Sequence, residues 1–395
     1  MIDSARGWSM VAAVFFLLFL GFGAAYAFTA FFPSLEVEFQ ASRQDVALIF
    51  GISGFLYFML GALSGAIADA IGTRPVVLLG VVLCGGGIVW GAFAQSLWEA
   101  YWAFGLGIGV GIGFFYVPAI GAVQRWFTVR RAMAAGFAAA GIGAGTMLMP
   151  GIAELLIDRP GGWRYAYGVI GICVLVLGFL AALQIDDPPV HRAARRSGTG
   201  LTGASVRQAL ASRGFILLYL SSLALSLGLF VPFVHLEPYA IDKGLGEGTG
   251  VFLLMLIGVG STLGRFVLAS LADSIGRRNA LALMYAGVGA MDLVWYWGGN
   301  IWALYVFAVV YGLCYGGFVG TAPAVSADYF GVKKLSSIIG WLYTSVAFGT
   351  LAGPPLAGRA FDLYQSYDLP ILIGAASGLV ATVLVLLMGP PRRWE

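Results

Sequence analysis

The sequence predicts an all-α membrane protein of twelve transmembrane helices in two pseudo-symmetric six-helix halves. Three observations predict it. Only 10% of the 395 residues are charged and 60% are hydrophobic, against about 25% charged in a soluble domain. So few charges cannot cover a soluble surface of this size. The apolar residues fall into twelve runs of the roughly 20 residues that a span needs. The third observation is an internal repeat, in which residues of the first half recur at an offset of 203 or 204.

The runs lie at about 9–31, 46–68, 75–95, 99–123, 132–157, 164–185, 214–236, 250–272, 279–298, 301–325, 335–358 and 369–389. The first is longer than a signal-peptide core and is expected to stay as span one. Spans two and eight end in related loops, Ala68-Asp69-Ala70-Ile71-Gly72-Thr73-Arg74 and Ala272-Asp273-Ser274-Ile275-Gly276-Arg277-Arg278. Span four carries Gly105, Gly107, Gly109, Gly111 and Gly113, which permit close helix approach, and Pro118, which bends it. These glycines are no dinucleotide fingerprint, because Ile112 stands where the third glycine belongs. Span five is rich in small residues from Gly141 to Gly151. Residues 186–213 form a basic, Gly/Ser/Thr-rich stretch that reads as a linker, its arginines meeting anionic lipid heads. Span seven carries His235 between Pro232 and Pro238, span eight Arg265, and span nine Asp292. Span ten presents Tyr311, Tyr315 and Phe318 at i, i+4 and i+7, on one helix face. Span eleven ends in Gly353-Pro354-Pro355-Leu356-Ala357-Gly358, and span twelve is plainly apolar.

Orientation follows from the basic residues. With the N-terminus inside, sixteen Lys and Arg fall in inner segments and five in outer loops. Both termini are therefore expected on the cytoplasmic side. Besides the paired loops, Gly113-Phe114 recurs as Gly317-Phe318. Trp126-Phe127 with Arg130-Arg131 recurs as Tyr329-Phe330 with Lys333-Lys334, and Ala153 with Asp158 recurs as Ala357 with Asp362. The expected organisation is an N-terminal half (1–185), a cytoplasmic linker (186–213) and a C-terminal half (214–395). Parallel repeats of this kind place a substrate site near the midplane, between the halves.

Several function classes are excluded. A net charge of +3 is too weak to argue for nucleic acid. Cys84, Cys173 and Cys314 sit in apolar runs without metal or redox spacing. The sequence has no P-loop, no zinc or haem ligand pattern and no catalytic constellation, so neither an enzyme nor a resident cofactor or metal is expected. No soluble segment is long enough for a signalling domain.

The Asp-x-x-Gly-x-Arg loops resemble the loop signature of the major facilitator superfamily. Three further stretches resemble the monocarboxylate transporters and their oxalate/formate antiporter relatives. They are Trp126 to Gly141, with an aromatic pair, a basic pair and small residues entering span five; Gly353 to Gly358; and Phe233-Val234-His235-Leu236-Glu237-Pro238-Tyr239-Ala240, similar to the outer end of span seven in bacterial members. The sequence departs from that family in span one, which lacks an acidic or basic residue. Ser261 stands four before Arg265, where animal lactate carriers have an acid. The second basic residue of the oxalate carrier, in span eleven, is absent, which argues against a dianion.

Arg265 is the sharpest signal. A charge at a helix centre costs about 2.5–3.5 kcal/mol on insertion scales and is tolerated facing a wet cavity or a partner. Its planar fork binds a carboxylate bidentately and does not deprotonate. Snorkelling to the surface, or pairing with Asp292, are the structural alternatives. The resemblance implies that an aromatic hydroxyl at Tyr116 contacts substrate. Tyr315, Tyr311, Phe318, Tyr26 and Phe28 complete the candidate site. His235, Asp292, Glu154 and Glu237 are the candidates for proton coupling. Asp69 with Arg74, and Asp273 with Arg277 or Arg278, are expected to pair and gate the inner mouth.

The expected function is secondary transport of a small monocarboxylate anion such as lactate or pyruvate, coupled to a proton. It is expected in a bacterial inner membrane, with lipid as its surroundings, and as a functional monomer. The alternatives are an organic-anion exchanger and a proton-driven efflux carrier for a drug or metabolite.

Overall fold

A computed structural model describes residues 5–127, 131–187, 204–298, 300–331 and 335–391. Twelve helical segments follow one another: Ala5–Phe39, Arg43–Met59 with Gly61–Ile71, Thr73–Gly91, Leu97–Trp126, Arg131–Ile157, Gly162–Gln184, Arg213–Asp242, Thr249–Ile275, Arg277–Trp297, Ile301–Phe330, Leu335–Tyr364 and Asp368–Leu386. They are numbered spans one to twelve. Ten are long and apolar enough to cross a membrane, and span two is an eleventh if its halves, bent by 41°, count as one. Span eleven has the length, with 30 residues, but less apolarity. Three of its hydroxyls face inward: Thr344, Ser345 and Thr350 are buried, each donating to a carbonyl three or four residues back. Those hydroxyls lower its hydropathy without meeting lipid.

Local chemistry sets the ends. Ser42, Ser96, Ser212 and Asn300 cap spans two, four, seven and ten, each accepting a backbone N–H three residues on. The tight turns after spans two and eight need Gly72 and Gly276, whose φ angles are 100° and 86°. An L-residue with a side chain is strained there. Span one breaks at Ala27 and span seven at Phe230, just before Pro232. Span four contains a π-helical turn, Tyr101–Leu106.

The packing repeats with the sequence. Span one packs on five, and seven on eleven. Spans three, four and six associate, as do nine, ten and twelve. The halves meet where span two lies on eleven and where five lies on eight, contacts that exchange when the halves are swapped. The repeat extends to single bonds. Trp126 Nε1 donates to the Asp186 carbonyl at 2.7 Å, and the Tyr329 hydroxyl donates to the Gly389 carbonyl, both at an offset of 203. Large apolar side chains cover the outside, and Trp98, Trp297 and Trp302 lie exposed at the span ends farthest from the termini, as in a membrane-interface belt. The face where span one begins and span twelve ends is the terminal face; the other is the distal face.

Candidate functional site

A cavity of about 40 Å³ lies between the halves, with room for about three water-sized molecules. Span one contributes Phe22 and Tyr26, span four Tyr116, span seven Phe230, span ten Tyr315 and Phe318, and span eleven Tyr343. The wall is aromatic and aliphatic; its polar side-chain atoms are tyrosine hydroxyls. The Tyr26 and Tyr315 hydroxyls bond across the halves at 3.1 Å. Phe233 packs on both rings, and this layer closes the cavity toward the distal face.

Arg265, 5% exposed, does not itself line this cavity but lies next to one of its lining residues, Tyr315. Its guanidinium lies 6.0 Å from the Tyr315 ring centre and feels the hydroxyls of Tyr315, Tyr116, Tyr26 and Tyr343. Nη1 is held one turn back, by the Ser261 carbonyl at 3.0 Å and the Ser261 hydroxyl at 2.5 Å. Nε and Nη2 are buried and have no hydrogen-bond partner among the described residues. Gly143 of span five lets span eight approach closely: a Cβ there would clash with Thr262 Oγ1 and lie 3.1 Å from Arg265 Nη1. A buried cation with two open donors, ringed by phenols in an apolar wall, suits a small anion with an apolar body.

The other candidates divide. Tyr26, Tyr116, Tyr315 and Phe318 line the cavity. Tyr311 does not: its hydroxyl donates to the Leu229 carbonyl at the span-seven break, at 2.8 Å. Phe28 packs with Phe32, Phe50 and Phe104. Asp292 makes no ion pair with Arg265; it is buried beside Gly374 of span twelve, with Oδ2 unpartnered among the described residues. His235 is fully buried on the distal side, bonded to Tyr367 and to the Pro354 carbonyl. Glu237 caps span eight by accepting from Gly248 N at 2.7 Å and Val251 N at 3.0 Å, and Glu154 approaches the same turn from span five.

At the terminal face, the side chains of Asp69 and Asp273 lie outside the described residues, so their expected pairs do too. Arg74 reaches the Ile185 carbonyl at 3.1 Å and Asp186 at 3.2 Å. Arg277 pairs with Asp328 at 2.8 Å, while Arg278 meets Asn279 at 3.4 Å. Asp187 accepts from Thr73 N, Thr73 Oγ1 and Arg125. Burial pushes the Asp187 carboxyl up, but Arg125 and the Thr73 bonds outweigh it and hold the group below the usual carboxylate range. Most of the 186–213 linker lies outside the described residues; its end forms a short helix, Val206–Leu210.

Two groups escaped the sequence reading. Tyr343 sits in a polar stretch of span eleven, with no repeat partner to mark it. Arg43 reads as an ordinary loop charge, yet it joins the halves at the distal face. It pairs with Glu36 at 3.2 Å and forks onto Asp242. It also donates to Tyr367 at 2.9 Å and stacks on Phe361. Asp362 accepts the N–H groups of Arg43 and Gln44.

The profile described as Major Facilitator Superfamily matches residues 14–299 and 252–394. Human monocarboxylate transporter 11 is 31% identical over 99% of this chain and 84% of its own length. The chain belongs to the monocarboxylate-transporter-like family of the major facilitator superfamily. Mouse monocarboxylate transporter 4 is 27% identical over 98% of this chain and 84% of its own. A bacterial homologue of the human lysosomal transporter Spinster, solved inward-facing and unoccupied, superposes with a TM-score of 0.68. It covers 98% of this chain and 96% of its own at 13% identity, a likeness of fold alone. The chain is a multi-pass major facilitator membrane protein, and its cavity lies between the halves.

Proposed function

We propose that this protein carries a small monocarboxylate, of the lactate or pyruvate kind, by alternating access. The halves, 1–185 and 214–395 joined by 186–213, rock about the cavity. The terminal face is cytoplasmic in this reading, on the asymmetry of basic residues. One observation carries it: Nε and Nη2 of Arg265 are buried and unpartnered among four cavity phenols. A carboxylate takes both donors as a fork, Tyr116 and Tyr343 orient it, and Phe318 covers the apolar tail. The names of the relatives support the same substrate class. A proton accompanies the anion, so the loaded step is electroneutral and the membrane potential does not oppose it.

A second reading, anion exchange, is favoured by the absence of an acid beside Arg265 among the described residues. Ser261 holds the place where a carboxylate would neutralise it, so the substrate itself is the counter-charge. Labelled L-lactate uptake into proteoliposomes separates the two. Uptake driven by an inward proton gradient and lost in Arg265→Gln supports symport through this site. Uptake that needs internal lactate and ignores the gradient supports exchange. Unchanged uptake in Arg265→Gln refutes the site.

A further inference from the structure

The distal closure contains one imidazole, and its bonds have only one consistent set of directions. The Pro354 carbonyl can only accept, so His235 Nε2 carries the proton and donates to it at 2.9 Å. In the neutral ring Nδ1 is then an acceptor. It takes the Tyr367 hydroxyl proton at 3.0 Å. The Tyr367 oxygen in turn accepts from Arg43 Nη1 at 2.9 Å. Arg43 is fixed to Asp242 and Glu36. One polarised chain thus runs from span two of the first half through Tyr367 and His235 to span eleven of the second.

A second proton on the ring reverses one bond. Nδ1–H would then point at an oxygen that already accepts from Arg43, and the Tyr367 proton would lose its acceptor. Burial keeps the Tyr367 phenol well above its ordinary range, despite Arg43 beside it, so the hydroxyl cannot escape by ionising. The imidazolium would also stand one hydroxyl away from the Arg43 guanidinium, which donates to the same Tyr367 oxygen. The acids nearby are engaged elsewhere: Glu36 and Asp242 on Arg43, Asp362 on the start of span two, and Glu237 on the start of span eight. Phe32 covers the ring from span one, and Tyr239 packs on Tyr367.

We propose that His235 is a proton-binding site that fills only when the distal gate opens, so that acid on the distal side drives the carrier toward the distal-open form. The closed gate excludes the second proton, and an opened gate returns the ring to water. This deepens the proposed function by naming the proton site, but its test needs no substrate. Linkage fixes the sign: the form that binds the extra proton gains as pH falls. For an opened imidazole with an ordinary pKa of about 6.5, the open-to-closed ratio rises about tenfold from pH 7.5 to pH 5.5.

The experiment is a spin-label distance measurement on the full chain in lipid. Labels go on Gln40→Cys and Glu247→Cys, in exposed distal loops of the two halves, with the three native cysteines replaced by alanine. The longer-distance population should grow relative to the shorter by about tenfold between pH 7.5 and 5.5. His235→Gln keeps an acceptor toward Tyr367 and a donor toward Pro354, so its gate should close normally and its distances should ignore pH. Tyr367→Phe removes the shared hydroxyl and should cut the response to less than about threefold. A wild type without a pH response, or a His235→Gln variant that responds as strongly as the wild type, overturns the proposal. Failure of lactate transport would instead refute the substrate reading and leave these distances unchanged.

Discussion

At the scale of single residues, the site rests on an arginine that cannot discharge. Removing one partner of a buried charge pair costs several kcal/mol, so Arg265→Gln should lower uptake at low substrate roughly 100-fold or more. Arg265→Lys should recover little of it, because an ammonium offers no planar fork. Tyr343→Phe removes one hydroxyl near that cation and should raise the half-saturating concentration about fivefold, with maximal rate and folding nearly unchanged. Concentration-dependent uptake in proteoliposomes checks all three. Arg265 was legible in the sequence because a charge within an apolar run demands a reason. Tyr343 was not, because a tyrosine in a span is ordinary until its neighbours are known. Tyr311 and Tyr315 share a helix face, but four residues are about 6 Å of rise, which lifts Tyr311 from the cavity to the span-seven break. Phe28 lies two residues from Tyr26, about 200° around a helix, and turns into the packing of spans two and four.

At the scale of elements, the repeat explains more than the twelve runs do. Glycine at positions 72 and 276 and the aromatic bonds at Trp126 and Tyr329 recur at nearly one offset between the halves. The end of span six shows what such a joint contributes. Asp187 binds Thr73 at the start of span three and Arg125 at the end of span four. Its carboxyl is held below the usual range, so its stabilisation is complete above a carboxylate's ordinary pKa of about 4 and fades as pH falls through the lowered value. Asp187→Asn should therefore lower the unfolding temperature by a few degrees at pH 7, with the difference shrinking in strong acid. Thermal unfolding in detergent at several pH values measures it. Spans five and eight supply another test. A Cβ on Gly258 would lie 2.6 Å from the Thr146 carbonyl carbon. Gly258→Val should cut the maximal uptake rate about tenfold by obstructing that contact between halves, and should lower the unfolding temperature as well, since overpacking against backbone costs about 1–3 kcal/mol. The run count was readable from hydropathy, span eleven included, although that span hides three hydroxyls inward. The pairing of two with eleven and five with eight was not, since apolarity marks lipid and protein contacts alike.

At the scale of the whole molecule, the polar bonds seen between the halves among the described residues gather at the distal face. Arg43 with Asp242, Asp362 and Tyr367 forms the latch, and the Tyr26–Tyr315 bond lies beneath it. Arg43→Asp should favour the distal-open form in the same spin-label distances, and adding Asp242→Arg should restore closure. Sequence alone gave Arg43 no distinction among five outer-loop bases, because its partners are some 200 to 320 residues away. The central claim remains that Arg265 holds the carboxylate in the cavity, whatever ion drives the cycle. Equilibrium counterflow tests it without assuming a coupling mode. Vesicles loaded with unlabelled lactate, pyruvate or the neutral lactamide are given trace labelled lactate. The account predicts label accumulation with either acid inside, none with lactamide, and none in a folded Arg265→Gln. Lactate counterflow that survives in Arg265→Gln would contradict it.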